Sequence, residues 1–548
     1  MGTPRRTALT RTTLAVTSAL VVAACGGGGG EAAGASGRLS PAVAERAATT
    51  PTTAPGDDAE LPPDSELDLD ATLTISTDGF PENLDPHREP TQGSTPFWTP
   101  AYDSLTDIAV TGEVRPRLAT EWAYSDDGLQ LVFTIREGVE FHDGTPLDAQ
   151  AVKISLDRAR TLEDGTMKNL LATITDVAVT GPSEVTLTTS EYDASLPSVL
   201  GTAAGAMLNP TAIEAGFDFT TRSDGTGAYV VTDFVPQQTV TYERADGPPW
   251  DPATGKVAGF TLVSVQDYQV ALNALQSGQY DLVRLNGLGS QIDQAVGGGE
   301  FTRIDVVPNQ TLSLWLNIND PALADQRVRQ AFAFAIDREG LANAVFDGGS
   351  ECIAASQMYP FEGDALYVEG YDPYHYDPDR ARALLEEADA VGTRLTITDI
   401  GSTSSVNLAQ AVQPMLQDVG FEIELQRGTN ATAPAFQQGE LQVAVIPNAQ
   451  QPHADITLSR YWLSGGPYHL AEGADDEIRA GMEVLADPAL SADEVATGYS
   501  EIAVDLADLA ALVPACAIAW SMVGRNEVVG IDRRTVLPNM RVVAVLAD

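Results

Sequence analysis

The stretch that most constrains this chain runs from Glu121 to Arg158, EWAYSDDGLQLVFTIREGVEFHDGTPLDAQAVKISLDR. Leu129, Leu131, Phe133 and Ile135 alternate with Gln130, Val132, Thr134 and Arg136, the period-two pattern of a half-buried strand. Asp126-Asp127-Gly128 before it and Asp143-Gly144-Thr145-Pro146 after Val139 to Phe141 are turn signals, so the segment predicts a strand pair that hands over to a helix. That helix is expected to begin near Pro146. Its apolar face is expected to carry Ala151, Ile154 and Arg158, widened by Val152 and Leu156.

These residues resemble the signature of the family 5 extracytoplasmic solute-binding proteins, the oligopeptide-, dipeptide- and nickel-binding components of ABC importers. Pro116 to Arg158 follows a pattern of the form PxLAxxWxxSxDGxxxxFxLRxGVxFHDGxPxxAxDVxxSxxR almost throughout. It departs at Ile135, where Leu is usual, and at Gln150-Ala151, where an acidic residue often precedes the Val. Further matches extend over the chain: Asn83-Leu84-Asp85-Pro86-His87 is similar to an LDP turn, Ala101-Tyr102-Asp103-Ser104-Leu105 to a YDxL element, and Gly225-Thr226-Gly227-Ala228-Tyr229 to GTGPY. LWLNIND with DQRVRQAFAFAIDREGLANAVFDGGS, and YDPDRARALLEEADA, resemble the family's later motifs. A competing reading of HDG makes His142 a ligand or base, although a lone His in a hairpin turn has no partner nearby in sequence.

The resemblance implies an α/β fold of the periplasmic-binding-protein type II, in a large three-lobed (cluster C) architecture with a ligand crevice between two α/β lobes. The expected organisation is a signal peptide over 1–24, a disordered tether over 25–67, lobe I from 68–101, 191–310 and 523–548, lobe II over 102–190, and lobe III over 311–522. A chain of 548 residues is long enough for several lobes. Within lobe III, Leu312 to Asn317 is expected as a strand and Arg327 to Ile336 as a helix. Leu395 to Ile400, a helix over Asn407 to Val419, and Glu422 to Leu425 have β-α-β order.

Arg5, Arg6 and Arg11 followed by the apolar run Leu14 to Ala24 form an export signal, and Val22-Ala23-Ala24-Cys25 resembles a lipobox. The run is too short to span a bilayer. Cys25 is therefore expected to carry acyl chains, placing the protein in the cell envelope, on the outer face of the membrane or in the periplasm. The Arg pair also permits twin-arginine export. Gly26 to about Ser65 has almost no apolar periodicity and reads as a tether. Cys352 and Cys516 remain, and in an oxidising compartment both a disulfide and two free thiols stay open.

The net charge of -46, from 77 acidic and 31 basic residues, argues against nucleic acid as a partner. His87, His142, His375, His453 and His469 are scattered, with no HExxH or CxxC spacing for a metal site, and there is no GxSxG elbow. No P-loop follows the glycines at 225–227. No catalytic residue, cofactor or metal is assigned.

The resemblance implies a monomeric binding subunit that closes about a hinge on a small molecule or peptide and docks on ABC permease and ATPase subunits. Aromatic walls with polar anchors suit that role. The candidates are Trp98, Trp315, Asn317, Asn448, Gln451, Arg460, Tyr461 and Trp462. In peptide-binding relatives the region matching AVIPNAQQP carries an acidic side chain that pairs with the peptide ammonium, whereas Asn448 and Gln451 are neutral. A buried ammonium without a charge partner is costly. A neutral solute such as an oligosaccharide, or a metal chelate, therefore stands beside peptides as cargo, and a sensory lipoprotein or hydrolase on the same fold beside transport.

Overall fold

The computed structural model describes residues 61–547 apart from 89–93, 110–111, 347, 349, 360–363, 430, 464–474, 488 and 532–539. The expected signal, Cys25, most of the tether and His469 lie outside these residues. Three large sheets organise the rest.

The four-stranded sheet is antiparallel and is ordered 119–124, 130–135, 184–189, 174–181. Leu131, Phe133 and Ile135 are buried as their alternation requires, while Gln130 and Thr134 are exposed. The expected pairing with Val139 to Phe141 does not form. Both edges of 130–135 are already taken by 119–124 and 184–189, and Gly144, at φ 84°, closes a turn in which only Glu140 and Pro146 bridge. The helix Ala149–Thr161 follows, with the Asp148 carboxylate accepting from the Ala151 N–H at 2.8 Å. Its buried stripe is Ala151, Val152, Ser155, Leu156 and Ala159, turned from the expected one, with Arg158 free to reach a neighbouring turn. Asp148→Ala removes this cap and is expected to cost about 1 kcal/mol in urea unfolding, whereas Asp148→Ser is expected to retain most of it.

The seven-stranded sheet is ordered 301–306, 520–525, 282–285, 72–77, 259–264, 239–244, 229–235. Its centre is parallel, since 72–77 runs alongside both 259–264 and 282–285. The six-stranded sheet is ordered 352–354, 512–518, 310–316, 443–449, 394–398, 422–426. The β-α-β unit is present as Arg394–Thr398, the helix Thr403–Val419 and Glu422–Gln426, with the two strands parallel. Cys352 and Cys516 are joined, on adjacent strands with Cα atoms 5.3 Å apart.

Two expected boundaries move. Leu196, Val199, Leu200, Met207, Leu208 and Phe219 pack into the core of the four-stranded sheet, so that lobe continues past 190 to about 219. Trp520–Arg525 pairs entirely within the seven-stranded sheet, so the crossing falls at Ala519 and not after 522. The turn-forming residues in the run from Leu512 to Val523, Pro514 and Ser521, lie inside the two strands, so neither marks the exit at Ala519.

Candidate functional site

Only 307–309 and Ala519 separate the edge and inner strands of the seven-stranded sheet from their continuations in the six-stranded sheet. Such paired crossings form a hinge. In open α/β sheets, ligands bind outside the carboxyl ends of parallel strands. At those ends, beside the hinge, stand Asp78 after 72–77 and Arg284 within 282–285.

Arg284 is an ion-pair partner of Asp78, and its guanidinium lies 3.4 Å from the centre of the Trp520 ring. Only 4% of its side chain is exposed. Burial pulls the guanidinium pKa down to about 10 against the opposing charge of Asp78. Tyr268 donates its hydroxyl to the Asp78 carboxylate at 2.8 Å and meets the Trp520 ring edge-on at 6.1 Å. Arg284 Nε and Trp520 Nε1 are buried without an acceptor in the protein. Asn286 closes the corner, its amide donating to the carbonyls of Ala519 and Glu351 at 2.5 and 3.0 Å.

Across the hinge, Thr311 pairs with Asn448 in register, and Thr311, Ser313 and Trp315 share one strand face. Trp315 Nε1 donates to Asn448 Oδ1 at 3.1 Å. Asn448 Nδ2, Thr311 Oγ1 and Ser313 Oγ have no partner within the protein, although all three residues are fully buried. The turn beyond is pinned at one carbonyl: Ala449 O accepts from Tyr359 Oη at 2.8 Å, Gln451 Nε2 at 2.7 Å and Tyr461 Oη at 3.1 Å.

The structure thus gathers Asn448, Gln451 and Tyr461 near the hinge and corrects the remaining expectations. Trp98 is buried in the core against the four-stranded sheet. Trp315 and Trp462 are core residues; Trp315 lies 5.8 Å and edge-on from both Phe436 and Tyr461. An indole on a strand or on a helix that faces a sheet buries more apolar surface in packing than at a crevice wall. Asn317 stands at the other end of its strand and ties Leu441 O and the Asn319 N–H. Arg460 is exposed, 5.8 Å from the Tyr461 ring centre. Asp78, Tyr268, Arg284 and Trp520 escaped the sequence reading. A cation inside the apolar run LVRL was the signal for Arg284.

The motif residues hold the lobes together. Arg158 donates to both oxygens of Asp85, at 3.0 and 2.5 Å, and to His87 Nδ1 at 2.9 Å. Burial raises the Asp85 carboxyl, but the Arg158 hydrogen bond and charge more than offset this and leave its pKa below the ordinary value. His142 is a latch: Nδ1 accepts from the Gly225 N–H at 3.2 Å and Nε2 bonds Gly227 O at 2.8 Å. Burial holds its pKa down, favouring this neutral form. The glycines of that loop are required, because a Cβ at Gly225 would stand 2.3 Å from Ala101 O and one at Gly227 would stand 2.4 Å from Pro100 O. Among the described residues, no group of three or more His, Cys, Asp or Glu side chains could hold a metal ion.

Two α/β sheets joined by a pair of short crossings, with a third sheet on one flank, define the periplasmic-binding-protein type II class of solute-binding fold. The family description "Bacterial extracellular solute-binding proteins, family 5 Middle" matches residues 113–469, and the chain belongs to this family. The glutathione-binding protein GsiB of Salmonella paratyphi A is 28% identical over 332 residues, 59% of this chain and 63% of that protein. The match therefore spans less than two thirds of that relative's length. Among solved structures, NikA from Brucella suis in complex with Fe(III)-EDTA superimposes with TM-score 0.75 at 22% identity, covering 84% of this chain and 97% of NikA. DppA from Helicobacter pylori in complex with peptide STSA gives TM-score 0.74 at 18% identity, covering 88% and 99%.

Proposed function

We propose that this protein is the substrate-binding subunit of an ABC importer, anchored through Cys25 to the outer face of the membrane, which captures peptides by hinged closure and delivers them to permease and ATPase subunits. The observation that carries the reading is the pair of polar walls beside a two-strand hinge: Asp78, Arg284 and Asn448 at the carboxyl ends of parallel strands, with Thr311 paired across from Asn448. The ligands of relatives, glutathione for GsiB and the peptide STSA for DppA, support short peptides. Closure needs a ligand with higher affinity for the closed state, and donors without partners on both walls supply it.

A neutral solute is the second reading, favoured by the uncharged turn at Asn448 and Gln451. Native mass spectrometry of the detergent-extracted full chain, followed by denaturing release, separates the two. Co-purifying peptides, with affinity for added glutathione or STSA by calorimetry, are the expected result. A released oligosaccharide, with no heat from either peptide, would overturn the peptide reading while leaving the binding role. The same spectra carry the mass of the Cys25 acyl chains; an unmodified thiol there would remove the anchor.

A further inference from the structure

We infer that Arg284, stacked on Trp520 at the hinge, is the anchor for a carboxylate of the cargo. This rests on the crevice assigned above and names the chemistry that its seven-stranded wall accepts.

Three observations converge on the same point. Asp78 engages one terminal nitrogen of the guanidinium and also receives the Tyr268 hydroxyl, so this carboxylate is already committed on two sides. Arg284 Nε and Trp520 Nε1 are both donors, both are buried and neither has an acceptor in the protein, while the two groups lie 3.4 Å apart, charge over ring. An orphaned buried donor costs the desolvation of that group. A single carboxylate has two oxygens and accepts from a guanidinium and a neighbouring N–H together, which a neutral carbonyl with one oxygen does less well. The Asp78 charge alone does not offset the burial of the cation.

The position adds a consequence. Trp520 is the first residue of the seven-stranded sheet after the crossing at Ala519 and pairs with Val306 at the other crossing. A ligand oxygen on Arg284 and Trp520 therefore sits where both hinge segments leave the sheet, and filling the site biases the angle of closure directly.

The test titrates trialanine and trialanine amide into the full-length protein and its Arg284→Gln and Trp520→Phe variants. Amidation is expected to weaken binding to the wild type by about tenfold or more. Arg284→Gln is expected to weaken trialanine to the level of the amide and leave the amide unchanged. Trp520→Phe keeps the ring stack and should lose a smaller part of the difference, which guards against a folding defect in the Gln variant. Equal affinity of acid and amide for the wild type overturns the anchor and leaves the peptide reading standing. If neither tripeptide binds, the peptide reading fails and thermal shift with succinate against succinamide decides the anchor. A succinate-specific rise in the wild type, lost in Arg284→Gln, sustains it; no such rise overturns it.

Discussion

An Asp103→Ala variant is expected to lose about 3–5 kcal/mol of stability, read as an early first transition in guanidinium unfolding. The carboxylate is fully buried and accepts from Arg117 Nε and Nη2 at 3.0 and 2.7 Å, Thr226 Oγ1 at 2.9 Å and Trp250 Nε1 at 2.9 Å. Arg541 stands 3.8 Å away. Burial raises this carboxyl, but Arg117 and Arg541 more than compensate and take it down to about 2. Removing it takes the shared counter-charge from two buried cations and the acceptor from an indole N–H and a threonine hydroxyl, while Arg541 keeps the carbonyls of Thr99 and Tyr102. Arg117 keeps Asp251 at 2.5 Å, so its charge is not wholly abandoned. The residue also ties together four distant segments, at 103, 117, 226 and 250–251, which is why the loss should appear as lobe separation before global unfolding. Asp103→Asn keeps the shape and one acceptor and should lose less. A stability equal to wild type in the Ala variant would show that the hub is not what joins these segments.

The second large effect is a pH dependence at His87. Nδ1 accepts from Arg158, so Nε2 carries the hydrogen and donates to Ala206 O at 3.1 Å. The ring is fully buried and neutral. Burial and then the Arg158 charge pull its pKa from 6.5 to about 4, against the pull of Asp85. The unfolded chain binds a proton at this residue below pH 6.5 and the folded chain does so only near pH 4. The stability is therefore complete above pH 6.5 and is lost as pH falls to about 4, for a loss of about 3 kcal/mol. Chemical denaturation of the wild type and His87→Asn between pH 7 and pH 4 isolates this contribution, because Asn does not titrate. The gap between them should narrow by that amount, and a constant gap would refute the neutral buried imidazole.

The sequence disclosed the scaffold more fully than the site, for physical reasons. Alternating Leu131, Phe133 and Ile135 announce a strand, because one face of a sheet must be apolar. Asp103 and the Gly225 and Gly227 pair stand out for the same reason that they are structural: buried charge and close backbone approach leave few residue choices. Contacts between residues distant in sequence are not constrained in this way. Arg284 and Asp78 are 206 residues apart and meet only because their strands lie side by side. The indoles at 98, 315 and 462 illustrate the opposite error, since a large ring suits a core as well as a ligand. Helix Ala492–Asp508 is announced by the capping box between Ser491 and Glu494. The exit at Ala519 is not announced, because Pro514 and Ser521 sit inside the strands on either side of it and no turn residue stands at the crossing itself.

The strand order has a consequence for how this molecule comes to exist. Strand 512–518 lies between 352–354 and 310–316, and 520–525 lies between 301–306 and 282–285. Two interior slots in two different sheets are filled by one continuous ribbon, 512–525. A growing polypeptide that has not yet reached Arg525 leaves 301–306 and 352–354 without any partner in their sheets. Neither sheet is complete before then, and pairings spanning more than two hundred residues are slow to form. Both sheets thus stay incomplete until this ribbon has been made, and the same ribbon that completes them forms, on insertion, one of the two crossings between them.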